Sequence, residues 1–177
     1  MYQLNAFFSA DRGQVGTLSV NNQITGVVEF GPIPCLGLGR HRVQGSIYGD
    51  TPIGNYQIVG KKPADNGGVK FEQFGPNPRL RLKGINGVAL DRENVAAGND
   101  ALLRIHGGRQ SSVGVRKLKS TDGCIRVLDH DMRDLLLFLE TRGITYPLQL
   151  KVIEAAYQPI VDVLVDVSVP PKQQDSP

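Results

Sequence analysis

Only one segment of this chain carries apolar residues at helical spacing. Met132, Leu135, Leu136 and Leu139 recur along a stretch from about His130 to Arg142, with Asp129 placed to cap its start and Gly143 just past its end. Elsewhere apolar residues come in short runs broken by 21 glycines and 11 prolines, and there is no tryptophan. Such punctuation predicts many tight turns and a mainly β architecture. At 177 residues the chain is long enough for one sizeable core and short for two, so one domain with extensions is expected.

The β-type runs can be placed along the chain. Thr17–Phe30 holds two short apolar segments around Asn21-Asn22 and reads as a hairpin, which Gly31-Pro32-Ile33-Pro34 is expected to stop. Residues 35–50 are glycine-rich, carry Arg40, His41 and Arg42, and read as a long loop or broken strand. Thr51–Val59 passes from a turn into a strand with Ile53, Tyr56 and Ile58 as its main apolar residues. After a polar, turn-like stretch from Lys61 to Gly68, Arg79–Lys83 alternates with period two and turns Leu80 and Leu82 to one face. Ala101–Ile105 is a short apolar run that delivers His106 at its end. Leu148–Ile153 is a further strand, and Val161–Val169 alternates like a strand or extended tail. The organisation expected is an N-terminal segment 1–12, a catalytic domain 13–154 and a C-terminal strand or tail 155–177.

Charge and composition exclude several classes. A net charge of +3, with lysines and arginines scattered and no basic stripe interleaved with aromatics, argues against nucleic acid as a partner. No segment reaches the length of a membrane span. Met1–Arg12 lacks a basic n-region and a long apolar stretch and does not read as a signal peptide. Cys35 and Cys124 are too few for a disulfide framework, and bridging them would consume the thiol with the more reactive surroundings. His-x-x-x-His and Cys-x-x-Cys spacings are absent, so no metal and no cofactor is expected. His41 and His130 read as surface residues, Tyr56 as core, and Cys35 as a half-buried loop residue without chemistry.

The candidate site is Ser120-Thr121-Asp122-Gly123-Cys124-Ile125-Arg126 together with Ile105-His106-Gly107-Gly108. A thiol becomes nucleophilic when a neighbouring imidazole takes its proton. Seventeen residues lie between His106 and Cys124, enough for a loop that leaves a strand and returns beside it. Gly123 permits close backbone approach, so the amides of Gly123 and Cys124 can face a developing oxyanion. Arg126, two residues beyond Cys124, points the same way if that segment is extended and can grip a carboxylate. The bland readings are a buried structural thiol, a core histidine, and an arginine paired with Asp122, Asp129 or Asp131.

These residues resemble the catalytic domain of the bacterial L,D-transpeptidases, whose signature is a His, a gap, then Ser/Thr-His-Gly-Cys-hydrophobic-Arg/Asn. Gly49-Asp50-Thr51-Pro52-Ile53-Gly54-Asn55-Tyr56-Gln57-Ile58 is similar to that family's Thr-Pro-x-Gly-x-(Tyr/Phe)-x-Ile segment. The resemblance covers roughly residues 13–154. It implies a β-sandwich of mixed sheets with one main helix, about 130–142, after the cysteine loop. It also implies that Cys124 attacks an amide of a peptidoglycan stem peptide to form a thioester, which an amine or water resolves. His106 would be the base, oriented by a carbonyl near Gly107. Amides around Asp122, Gly123 and Cys124 would form the oxyanion hole, and Arg126, with Thr121 and Ser120, would contact the substrate. Carbapenem acylation at Cys124, a monomeric state and action in the cell envelope or periplasm go with this reading. The chain departs from the pattern in carrying Asp122 where the family has His, and a carboxylate beside Cys124 opposes thiolate formation unless a cation pairs with it.

Three alternatives stay open. Hydrolysis in place of amine exchange gives an L,D-carboxypeptidase or a secreted wall-targeting toxin of the same fold. Loss of chemistry through Asp122 gives a non-catalytic peptidoglycan-binding module. A cysteine peptidase of another family fits less well, because many of those place Cys before His.

Overall fold

The computed structural model describes residues 1–95, 103–108 and 118–155. Among them eight strands run as β1 (Tyr2–Phe8), β2 (Gly16–Asn22), β3 (Val28–Leu36), β4 (Gly54–Lys62), β5 (Arg79–Gly84), β6 (Leu103–His106), β7 (Ile125–Val127) and β8 (Leu148–Glu154). Three helices join them, α1 (Gly68–Phe74), α2 (Gly87–Val95) and α3 (Asp129–Thr141). The fold is therefore mainly β.

The strands close in the order β1-β2-β3-β7-β6-β5-β4-β8. The expected sandwich of stacked sheets is replaced by one mixed sheet closed on itself, with β1 parallel to β8 and β6 parallel to β7. Alternating inward and outward residues serve a sandwich and a barrel alike. Closure is set by β1 pairing with both β2 and β8, a relation between chain ends that local patterning does not carry. Leu4, Ala6 and Phe8 of β1, Leu18 and Val20 of β2, Ile58 of β4, Leu80 and Leu82 of β5, and Ile105 and Ile125 fill the interior at 1% exposure or less.

The helix expected at 130–142 is α3. Met132, Leu135, Leu136 and Leu139 are buried, and the helix packs against β3 and β6. Each such side chain contributes about 1.5–3 kcal/mol by leaving water. Gly143 and Ile144 N–H close the helix by donating to the Glu140 and Leu139 carbonyls. Asp129, however, makes no cap: Leu128 holds the cap position, and the Asp129 carboxylate accepts the Gly108 N–H at 2.7 Å instead. A tertiary donor has outcompeted the local one.

Local expectations differ from the structure at five further points. The hairpin turn lies at residues 23–25, and Asn21-Asn22 belong to β2. The Gly31-Pro32-Ile33-Pro34 run does not stop β3: an irregularity in the β2–β3 register between Phe30 and Ile33 takes in Pro32, while Pro34 stays in register opposite Thr17. Cys35 is fully buried inside β3 rather than half-buried in a loop, and Ile53 lies outside β4 and is exposed. The additional helices α1 and α2 show little apolar periodicity, with no buried residue in α1 and only Ala89 and Arg92 in α2. Ala101-Leu102 and Val161–Val169 lie outside the described residues. No helix among those described is long and apolar enough to cross a membrane.

Candidate active site

Two parallel strands build the site. β6 and β7 pair with Ile105 opposite Ile125 and His106 opposite Arg126, while β5 places Leu80 opposite Ile105 and Arg81 opposite Arg104. Because neighbours in register share a face, the interior takes Leu80, Ile105 and Ile125. The other face takes His106 opposite Arg126 and Arg81 opposite Arg104. His106 ends β6 and Cys124 immediately precedes β7, the strand that runs parallel beside it.

His106 is 1% exposed. Its Nδ1 lies 2.6 Å from the Gly107 carbonyl, and since a carbonyl only accepts, Nδ1 carries the proton. Nε2 is left with its lone pair and without a hydrogen-bond partner. Burial, then the charge of Arg126, push the imidazole pKa down to about 3, with Arg104 and Arg79 adding to the effect against the Gly107 carbonyl. The ring is neutral at physiological pH. Phe74, at the end of α1, packs edge to face on it with 4.8 Å between centroids, and Arg79 and Arg104 lie over the Phe74 ring at 4.5 and 5.4 Å.

Cys124 is 8% exposed and free, as is Cys35. Burial raises its pKa, opposed by the Arg104 backbone N–H and by the charges of Arg104 and Arg126, while Asp122 adds to the rise. At rest Cys124 is therefore a thiol and His106 a neutral imidazole.

Two buried threonines hold the cysteine loop. Thr121 Oγ1 accepts the Gly123 N–H at 3.2 Å and donates to the Cys124 carbonyl at 2.8 Å. Thr51, fully buried, donates to the Gly123 carbonyl at 2.8 Å. Gly123 adopts φ +101°, a conformation that L side chains avoid, so the turn into β7 depends on glycine. With the Gly123 N–H engaged, the amide of Cys124 itself is the better placed of the two for an oxyanion. Gly107 meets a tighter limit: a Cβ there would fall on Asp129 Oδ1.

Asp122 forms a two-point pair with Arg40, Nε–Oδ1 at 2.7 Å and Nη2–Oδ2 at 3.1 Å, so the cation it requires comes from the 37–53 loop. Arg126 is 1% exposed and donates from Nη1 to the Gly108 carbonyl at 2.7 Å and from Nη2 toward the Gln73 carbonyl at 3.4 Å. Ser120 is exposed at the entrance to the loop. His41 is exposed beside Tyr48, and His130 is exposed beside Asp131. Among the described residues no group of three or more metal-binding side chains forms a metal site.

Sequence reasoning missed Arg40, Thr51, Phe74, Arg79 and Arg104 as neighbours of the site. The alternation of Arg79 and Arg81 with leucine was legible, but their place beside His106 depends on the β5–β6 pairing.

A family model, YkuD, the L,D-transpeptidase catalytic domain, matches residues 21–153. No curated protein matches the sequence. Among solved structures, an L,D-transpeptidase from Mycobacterium smegmatis is 12% identical with a TM-score of 0.43, covering 86% of this chain and 59% of its own. One from Mycobacterium tuberculosis H37Rv is 15% identical with a TM-score of 0.46, covering 85% and 57%. L,D-transpeptidase 3 from Mycobacterium tuberculosis, in complex with a faropenem-derived adduct, is 14% identical with a TM-score of 0.45, covering 84% and 59%. This chain spans about three fifths of the length of each of these proteins.

Proposed function

We propose that this chain, which belongs to the L,D-transpeptidase catalytic-domain family, transfers acyl groups between peptidoglycan stem peptides through a thioester on Cys124. The observation that carries the reading is the neutral His106 ring, whose proton is held on Nδ1 by the Gly107 carbonyl and whose Nε2 is bare, at the end of the strand that pairs in parallel with the one Cys124 precedes.

In the first step Sγ attacks the scissile amide carbon, the S–H bond breaks, and the proton moves to His106 Nε2. The carbonyl oxygen becomes an oxyanion and is met by the Cys124 N–H, with the backbone at Asp122 and Gly123 shaping that pocket. Collapse breaks the C–N bond, and His106 returns the proton to the departing amine. An acceptor amine then attacks the thioester, again losing its proton to Nε2. Arg126 supplies positive charge for a stem-peptide carboxylate while its guanidinium fixes the Gly108 carbonyl, and Ser120 lies where substrate enters. Thr121 acts through the loop it holds. Water in place of the amine makes the same residues an L,D-carboxypeptidase or a wall-targeting toxin. The site of action is the cell envelope.

Two measurements test this. Alkylation with iodoacetamide, which the buried Cys35 escapes, is followed by mass spectrometry of stem-peptide turnover; unchanged turnover after complete Cys124 modification overturns the reading. Incubation with a carbapenem is expected to add one adduct mass at Cys124. Muropeptide binding that survives Cys124→Ala with no adduct in wild type would instead mark a non-catalytic binding module.

A further inference from the structure

The peptide bond between Gly107 and Gly108 is held at both ends. Its carbonyl oxygen lies 2.6 Å from His106 Nδ1, and its N–H donates to Asp129 Oδ1 at 2.7 Å. Imidazole, peptide and carboxylate therefore form one hydrogen-bonded chain in which each donor meets an acceptor. The bond to the carboxylate is charge-assisted, and hydrogen bonds in series polarise one another.

Asp129 is locked in that position. It opens α3, and Asn77 Nδ2, from the segment before β5, donates to its backbone carbonyl at 2.7 Å. A Cβ on Gly75, just past α1, would fall on Asp129 Oδ1, as would one on Gly107, and a Cβ on Gly108 would meet the Gly75 nitrogen and the Gln73 carbonyl. Three glycines thus bring the end of α1 and the segment after β6 against one carboxylate oxygen. Gly75 and Gly108 have φ of +82° and +79°, so conformation as well as size calls for glycine at both. On the next peptide Arg126 Nη1 donates to the Gly108 carbonyl at 2.7 Å and fixes the segment from β7. The charged groups facing the ring itself are Arg126 from β7, Arg104 from β6 and Arg79 from β5, all cations that oppose its protonation. Which nitrogen carries the proton is set by the peptide.

We propose that Asp129 is a positioning residue for His106: by gripping the Gly108 N–H it aims the Gly107 carbonyl at Nδ1, which keeps the ring proton there and leaves Nε2 bare for the thiol proton. Asp129 acts through this one peptide and not on the substrate. A carboxylate whose sequence position suits a helix cap is turned toward the site because the tertiary donor is there.

The proposal rests on His106 being the base of the acyl transfer, but its test reads the ring and requires no peptidoglycan. Of the three histidines, His41 and His130 are exposed, so the buried His106 ring is distinguishable in ¹⁵N-histidine-labelled protein. Long-range proton–nitrogen correlation spectra at neutral pH assign its tautomer in wild type, Asp129→Ala, Asp129→Asn and Asn77→Ala, each checked by thermal unfolding. Wild type is expected to show the Nδ1–H form. Asp129→Asn, whose side-chain oxygen still accepts the Gly108 N–H, is expected to keep it, as is Asn77→Ala, which loosens the start of α3 but leaves the carboxylate. Asp129→Ala is expected to shift the tautomer ratio toward Nε2–H by about tenfold, as for loss of one hydrogen bond to a charged group. A folded Asp129→Ala with the wild-type ratio overturns the proposal. So does an equal shift in Asp129→Asn or Asn77→Ala, either of which marks loosening of this corner instead of loss of the acceptor. If Asp129→Ala does not fold, Asp129→Ser, which suits a helix start but is one bond too short to reach the Gly108 N–H, takes its place with the same expectation. Failure of the transpeptidase reading is separate: it appears as absent stem-peptide turnover in wild-type protein whose His106 tautomer is as expected.

Discussion

Arg40 and Asp122 meet through two contacts, at 2.7 and 3.1 Å, two residues before Cys124 in the chain. The arginine comes from the long loop after β3 and the carboxylate from the loop before β7. Their pairing offsets a negative charge that otherwise opposes ionisation of Cys124.

Arg40→Ala is accordingly expected to slow alkylation of Cys124 at neutral pH by about three- to tenfold, since an uncompensated carboxylate pushes the thiol pKa further up. The exposed pair contributes little to folding, so the melting temperature should barely move. Adding Asp122→Asn to Arg40→Ala should restore the rate; a rate unaffected by either change would contradict this account.

His106 makes stability depend on pH in a definite direction. Its folded pKa, about 3, lies below the ordinary value of 6.5, so the unfolded chain binds the proton first as pH falls. Stability contributed by the neutral buried ring is fully present above pH 6.5 and is lost as pH drops toward 3, by about 3 kcal/mol at pH 4. Urea melts at pH 7 and pH 4 should show that loss in wild type and a smaller one in His106→Gln.

Thr51 carries a hydroxyl that donates to the Gly123 carbonyl from a fully buried position. Thr51→Val leaves that carbonyl without its donor and should cost about 1–3 kcal/mol. Chemical denaturation measures the loss, and Thr51→Ser should recover most of it. Stem-peptide turnover should fall more in Thr51→Val than in Thr51→Ser, because the loop that aims Sγ is then less firmly held.

Gly107→Ala places a methyl group on the Asp129 carboxylate, which holds the Gly108 N–H. Overpacking of this kind costs about 1–3 kcal/mol. Since the Gly107 carbonyl also fixes the imidazole proton on Nδ1, turnover should fall by at least tenfold while Cys124→Ala still sets the floor. A variant with normal turnover and lowered stability would separate the glycine's packing role from its orienting role.

Much of the fold was legible wherever local pattern and burial agree. The leucine stripe of α3, the alternation in β5 and the delivery of His106 at the end of β6 all follow from periodicity. The proline-rich part of β3 and the uncapped start of α3 were misjudged for one reason: local rules assume local partners. A register irregularity took in Pro32, and Asp129 found its donor at Gly108.

The thiol, the histidine and the glycine between Asp122 and Cys124 are determined by the sequence alone, because residue type and chain order suffice to define them. Their electrostatic setting is decided by tertiary structure. Arg40, Arg79, Arg104 and Arg126 come from four separate parts of the chain, and only the β5–β6–β7 pairing and the 37–53 loop bring their charges to the imidazole, the thiol and its neighbouring Asp122. Charge acts through space over several ångströms, so the ionisation of His106 and Cys124 belongs to the folded barrel.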